Sequence, residues 1–194
     1  MTSDLILSRI RRMLTLDLSV FPEVRDDRQF TSVAAAMAVA AVLVAALGAF
    51  LYGETVLDFT PDDWFLDTVI LGSLFTMMLF AAGIAVTYLV LSQAFGVNIA
   101  PEGLARVLAL TYSTYALGFL VFLPEAGFTF GIISVVAMFY YSVTGVRAAA
   151  PSTSAGAAMV SVLAGFVLWL TIMALVSDPG DDFFTGVFVY SLVD

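Results

Sequence analysis

The chain has 194 residues, of which 61% are hydrophobic and 12% charged, with a mean hydropathy of +1.04. Soluble domains are about half apolar and about a quarter charged, so the composition excludes an ordinary soluble fold and leaves a polytopic membrane protein. The length allows one helical bundle and no separate soluble catalytic domain. Cysteine and histidine are both absent, which removes Cys/His zinc sites, thiol redox chemistry, haem ligation by histidine and every Ser-His or Cys-His nucleophile.

The net charge is −9, yet all seven basic residues are arginine: Arg9, Arg11, Arg12, Arg25, Arg28, Arg106 and Arg147. Nucleic-acid binding needs a basic patch. The only cluster, Arg9 to Arg12, lies beside a membrane segment, where attraction to anionic lipid head groups is the simpler use. A lysine-free, acidic balance fits a GC-rich genome or a salt-adapted host, in which surface carboxylates maintain solubility.

In chain order, Thr2-Ser3-Asp4 offers N-cap chemistry, and Leu5, Ile6, Ile10, Met13 and Leu14 then recur at helical spacing with Arg9, Arg11 and Arg12 between them. The spacing predicts an amphipathic helix, either lying in the membrane interface or packed as a cap on the bundle. The apolar run starts only at Thr31 and is followed by further spans, so this is not read as a secretory signal. Asp17 to Gln29 reads as polar, with Pro22 expected to break any helix.

The first span is Thr31 to Tyr52, where Ala34, Ala38, Ala41, Ala45 and Ala49 repeat at three or four residues, a spacing that lets another helix approach closely. Gly53 to Asp63 is an acidic loop closed by Trp64 at interfacial depth. The second span, Phe65 to Phe95, is too long for a perpendicular crossing and must tilt or project. A hairpin follows. Its third span opens behind Pro101-Glu102-Gly103 and carries Thr111-Tyr112-Ser113-Thr114-Tyr115; the chain turns at Leu123-Pro124-Glu125-Ala126-Gly127 and returns to Thr144-Gly145-Val146-Arg147. Each arm holds about 20 residues, enough at about 1.5 Å per residue to cross a hydrocarbon core of about 30 Å. Gly127 and Gly131 form a GxxxG that marks close helix contact. The fifth span is Ala155 to Val176. Ser177 to Asp182 is an acidic turn, and Phe183 to Val193 a short apolar tail returning to the interface.

Five spans put the termini on opposite sides. All seven arginines then fall on one face, which the positive-inside rule makes cytoplasmic, and carboxylates from Glu54 to Asp67, at Glu125 and from Asp178 to Asp194 fall on the other. The organisation read from the sequence is therefore a cytoplasmic amphipathic segment (1–30), a five-span all-α membrane domain (31–177) and a C-terminal turn and tail (178–194), in the cell membrane of a prokaryote.

Three stretches carry a family resemblance. They are Leu16-Asp17-Leu18-Ser19-Val20-Phe21 leading into Arg25-Asp26-Asp27; Arg106-Val107-Leu108 running into Tyr112-Ser113-Thr114-Tyr115; and Gly145-Val146-Arg147 followed by Ser152-Thr153-Ser154 and a last apolar span. With five spans and a cytoplasmic amino terminus, the chain resembles the Yip (Ypt-interacting protein) domain family in its shorter prokaryotic form. The resemblance implies a non-catalytic membrane protein acting as an interaction or organising subunit. The eukaryotic members look like adaptors for small GTPases; the long amino-terminal region of many of them has no counterpart before Thr31, and that activity is not carried over.

No Asp, Glu, Arg or Lys lies near the middle of any span, and intramembrane proteolysis, proton relay or carboxylate-based ion coupling would each require one. No enzyme activity and no cofactor are expected. Thr111, Tyr112, Thr114 and Tyr115 are the polar exception. On an α-helix Thr111, Thr114, Tyr115 and Gly118 share one face and Tyr112, Ala116 and Phe119 another. They line a polar cavity for a small solute or lipid, the alternative function, or make interhelical hydrogen bonds of about 0.6 kcal/mol each, which is the simpler reading. Arg106 and Arg147 sit at span ends, where long side chains snorkel to phosphate level; with Arg11 and Arg12 they are candidates for lipid head-group or partner contacts, and a carboxylate such as Glu102 or Asp26 is a candidate partner for either Arg106 or Arg147. The acidic loops match no calcium-loop spacing and read as solvated faces. A membrane-protein partner or self-association through the alanine and GxxxG faces is expected.

Overall fold

The structure is a computed structural model, and it describes residues 3–56, 63–176 and Val189. Every regular element among these is helical. Two short helices, α1 (Ser3–Leu14) and α2 (Val20–Asp26), precede five long ones. These are α3 (Thr31–Val56), α4 (Leu66–Ala94), α5 (Pro101–Phe122), α6 (Gly127–Ala149) and α7 (Ala155–Val176), each long and apolar enough to cross a membrane. The chain is an all-α integral membrane bundle. Asp58, Asp62, Asp178, Asp181, Asp182, Asp194 and the apolar tail apart from Val189 lie outside the described residues.

α5 is the central helix, packed between α3 and α6, while α4 and α7 pair beside it. The alanine stripe explains the first of these contacts. Ala34, Ala38, Ala41, Ala45 and Ala49 are all buried, and their small side chains allow the α5 backbone to press on α3 until a Cβ at Gly48 would overlap the Phe119 backbone, with the Phe119 Cα 2.6 Å away. The α4–α7 contact is as close. A Cβ on Gly165 would fall 2.5 Å from the Gly83 carbonyl oxygen. These stripes are therefore used within the chain.

The third span is not one α-helix. It is α-helical over Pro101–Tyr112 and 3₁₀ over Ser113–Phe122, which revises the face assignment made from a 3.6-residue period. With three residues per turn, Tyr112, Tyr115, Gly118 and Val121 form one column, and all four are buried. The hydroxyls favour the tighter winding locally: Thr111, Ser113 and Thr114 donate to the carbonyls of Leu108, Leu110 and Thr111, three residues back, at 2.8, 2.6 and 2.8 Å. The winding also lengthens the span to about 38 Å, against about 33 Å for the same residues as α-helix. The second span opens and closes with π-helical turns, Leu66–Leu71 and Val90–Ala94.

Pro22 does not break the segment before α3. It stands third in α2, in the first turn, where the missing N–H has no intrahelical partner to lose. Nor is Asp17 to Gln29 simply polar: Val20, Phe21, Val24 and Phe30 are fully buried, and α2 is wedged between α5 and α6, with Phe21 and Val107 both against Gly145. α1 packs on the bundle as a cap. Arg9 and Met13 are buried and Ile6 and Ile10 half-buried toward the protein, while Leu5, Leu7 and Leu14 are exposed. At the opposite end of the bundle the Trp64 indole donates to the Phe50 carbonyl at 3.3 Å and covers Gly53, in a cluster with Ala49, Tyr52, Val121 and Val189. Trp64 is thus buried as a clamp joining α3 to α4.

Candidate functional site

The centre of the bundle is filled. Phe80 of α4 lies 4.4 Å from Tyr112 and 5.5 Å from Tyr115, centroid to centroid, and Trp169 of α7 stands 5.7 Å from Phe80 and 5.8 Å from Tyr115. Tilted and edge-on pairs of this kind add about 0.5–1.5 kcal/mol each beyond area burial. The hydroxyls around them are turned to protein: Thr111 meets Ser142 of α6 at 2.9 Å, and Ser134 bonds the Gly131 carbonyl at 2.7 Å. The candidate polar face of the third span is therefore an interhelical seam, and Tyr112 and Tyr115 belong to an aromatic plug.

Polar chemistry is concentrated instead at the arginine-bearing end. Arg106 is 7% exposed. Its Nε donates to the carbonyls of Val24 and Arg25, both at 3.1 Å, its Nη2 to the Arg25 carbonyl, and its Nη1 to the Thr31 hydroxyl at 3.1 Å. The two carbonyls belong to the last turn of α2, where no intrahelical donor reaches them and the dipole is negative. A side chain expected to snorkel toward phosphates, or to pair with Glu102 or Asp26, is thus folded inward onto α2. Its fork reaches two carbonyls at once because α2 is docked over the start of α5. Arg25 extends the arrangement, donating to the Ala149 carbonyl at the end of α6 and to both oxygens of Asp26 at 2.7 and 2.6 Å. α2, α3, α5 and α6 are stitched together by two guanidinium groups.

Beside this stitch is a cleft of about 760 Å³, walled by Arg25, Arg28, Arg106, Asn98, Glu102 and Ser152, with Asp26 at its edge. Three arginines face two carboxylates there. Asp26 is committed to Arg25, which together with the adjoining charge of Arg106 holds its carboxyl below the usual range. Arg28 is exposed, and neither it nor Arg106 has a carboxylate within ion-pair distance among the described residues. A second cavity of about 180 Å³ adjoins the first through Thr31 and Arg106. Its remaining walls are apolar, from Ala35 and Ala38 of α3, Ala81 and Ile84 of α4, and Ala109 and Tyr112 of α5.

A third feature ties α1 down. Arg12 donates its Nε to Asp17 at 2.8 Å, both Nη atoms to the Glu23 carboxylate at 2.8 Å, and Nη2 also to Ser19 at 2.7 Å. The Ser19 hydroxyl and then Arg12 bring the Asp17 carboxyl down to about 2, and Arg12 lowers Glu23. Arg9 lies 2.8 Å from Asp27 and 4.6 Å from the Phe30 ring centroid, and lowers Asp27. Exposed pairs contribute little singly; a forked arginine shared among three acceptors is the arrangement that orders a segment.

Of the residues singled out from the sequence, Arg11 and Arg147 are exposed and free to meet head groups, while Arg12 is engaged at the surface by Asp17, Ser19 and Glu23 and Arg106 is occupied inside the protein. Thr111, Tyr112, Thr114 and Tyr115 come together in the seam and plug, away from the polar cleft. Sequence reading missed Arg25, Arg28, Asn98 and Ser152, which converge from α2 and from the α2–α3, α4–α5 and α6–α7 connections. Only the alternation of Arg25-Asp26-Asp27-Arg28 next to Val20, Phe21 and Val24 hinted at a packed, charged turn. Compared with family models, with curated proteins and with solved structures, the chain has no match.

Proposed function

We propose that the chain is a non-catalytic, membrane-embedded interaction or organising subunit of the Yip-like kind, with its arginine-bearing end in the cytoplasm. One observation carries this reading: the place where a solute path along the third span would run is closed by Phe80, Tyr112, Tyr115 and Trp169. A bundle with a filled centre offers its surfaces, and the docked α1–α2 segment gives the arginine-bearing end a structured face. Transport would need a hydrated lining, and the seam hydroxyls of Thr111 and Thr114 are bonded to protein.

The test is gentle detergent extraction of tagged protein at native expression, with crosslinking and mass spectrometry of what co-purifies at constant stoichiometry through size exclusion. The expected result is a stoichiometric membrane-protein partner. A chain recovered alone, or only with copies of itself and lipid, overturns the organising role.

A further inference from the structure

The cleft and the apolar cavity meet at Thr31 and Arg106, and Arg106 is a buried cation. Arg106 lies on the wall of both. Its bonds go to neutral acceptors only, so its charge is offset by the carbonyl ends of α2 and by no carboxylate within ion-pair distance among the described residues. Removing a guanidinium from water is expensive unless an opposite charge is near. A second positive charge with no ion-pair partner among the described residues, Arg28, lines the same cleft, as do Glu102 and Gly103 of the first turn of α5. Glu102 is the one opposing charge not already paired. The polar side of the site is therefore net basic.

The apolar side opens sideways. Ala35 and Ala81 are exposed where α3 and α4 part, while Ala38, Ala109, Phe80 and Tyr112 are buried behind them. Larger side chains hold the neighbouring positions of α4: Leu74 and Met78 are 60% and 69% exposed. An apolar slot edged by exposed Ala35 and Ala81 is shaped for a hydrocarbon chain entering from the bilayer. It descends from Arg106 to Tyr112, about 9 Å along α5.

We propose that cleft and slot together bind one anionic phospholipid, its phosphate between Arg28 and Arg25 above Arg106 and one hydrocarbon chain laid past Ala35 and Ala81 onto Tyr112. The charge of the cleft, its continuity with an apolar slot and its place at the arginine-bearing end of the bundle select that occupant. A soluble anion would leave the slot empty, and a zwitterionic lipid would bring a second cation to a basic cleft. Binding would also place a counter-charge beside Arg106, coupling occupancy to the docking of α2. The proposal is independent of the organising role: protein that captures a partner yet holds no anionic lipid fails here alone.

The experiment is native mass spectrometry with titration of dioleoylphosphatidylglycerol, dioleoylphosphatidylcholine and glycerol 3-phosphate into delipidated protein, on the unaltered chain and on Arg28→Gln and Ala81→Leu. Both substitutions are at exposed positions, and elution volume and helicity confirm folding. One phosphatidylglycerol should be retained at least tenfold more tightly than phosphatidylcholine. Arg28→Gln should weaken it about fivefold, the contribution of one near-surface arginine to an anionic lipid. Ala81→Leu should weaken it further by filling the slot. Equal retention of the two lipids overturns the proposal, as does phosphatidylglycerol binding indifferent to both substitutions, which is annular lipid only. Glycerol 3-phosphate binding as tightly as the lipid overturns it in favour of a soluble phosphate ligand.

Discussion

Replacing Arg106 by methionine keeps the reach and apolar stem of the side chain and removes its fork. The structure sets the size of the effect. Four hydrogen bonds are lost, three of them to Val24 and Arg25 carbonyls that have no intrahelical donor, and one to Thr31. Bonds from a charged donor contribute about 1.5–3 kcal/mol each, and a buried carbonyl left unpaired costs about 1–3 kcal/mol. Two effects oppose this: the burial penalty of the guanidinium disappears, and the adjoining cleft lets water reach the freed carbonyls. The balance is a loss of about 2–3 kcal/mol in the docking of α2, or about 30- to 150-fold in the docked-to-open ratio. The cysteine-free chain makes this measurable, because Val24→Cys introduces a single, fully buried thiol under α2. Its maleimide reaction rate in detergent reports the open fraction, and should rise by that factor in Arg106→Met. Arg147→Met, at an exposed position, should leave it unchanged. A rate within about threefold of the parent would refute the assignment of Arg106 as the clasp on α2.

The close approach of α3 and α5 makes Gly48→Ala destabilising by about 3 kcal/mol, at the upper end of overpacking because the clash is with the Phe119 backbone. Gly156→Ala, whose Cβ meets nothing within 4 Å, should be neutral or stabilising by about 0.5–1 kcal/mol; thermal unfolding in detergent that ranks the two alike would contradict the helix register. The carboxylates of Asp17, Glu23 and Asp27 titrate lower in the folded protein than in the unfolded chain, so the unfolded state binds more protons in that range and their contribution is complete above the ordinary carboxylate range. Docking of α1 should hold from neutral pH to about 5 and loosen from about pH 4 toward 2, seen as rising mobility of a nitroxide on Leu7→Cys; release already at pH 6, or none by pH 2.5, would exclude these ion pairs as its fastening.

Spans and charge bias were legible because each is a property of a segment by itself. A helix in hydrocarbon satisfies its own backbone, so apolar length marks the crossings, and the arginines gather at one end of the bundle. The alanine spacing in α3 correctly announced close packing, although the face it makes is spent inside the chain; Gly127 and Gly131 are buried. α2 was not legible: seven residues are too few for a period to stand out, and Pro22 argues against a helix unless its place in the first turn is known. The cleft escaped for the same kind of reason, since Arg25, Arg28, Asn98 and Ser152 are unremarkable singly and gain meaning from proximity.

The amino-acid sequence by itself determined that the protein lives in a membrane, crosses it with five helices and segregates its arginines from most of its carboxylates, because hydropathy and charge act residue by residue against a bilayer. Tertiary structure alone decided the rest. The 3₁₀ winding of the second half of α5 brings Tyr112, Tyr115 and Gly118 into one column, the tyrosines meeting Phe80 of α4, Tyr115 also Trp169 of α7, and Gly118 meeting Ala45 of α3 and Ser134 of α6, and Arg106 finds its acceptors on Arg25, 81 residues away, while Arg25 reaches Ala149 across 124. A buried guanidinium takes whichever acceptors the packing of distant segments presents, and no local pattern encodes which ones those are.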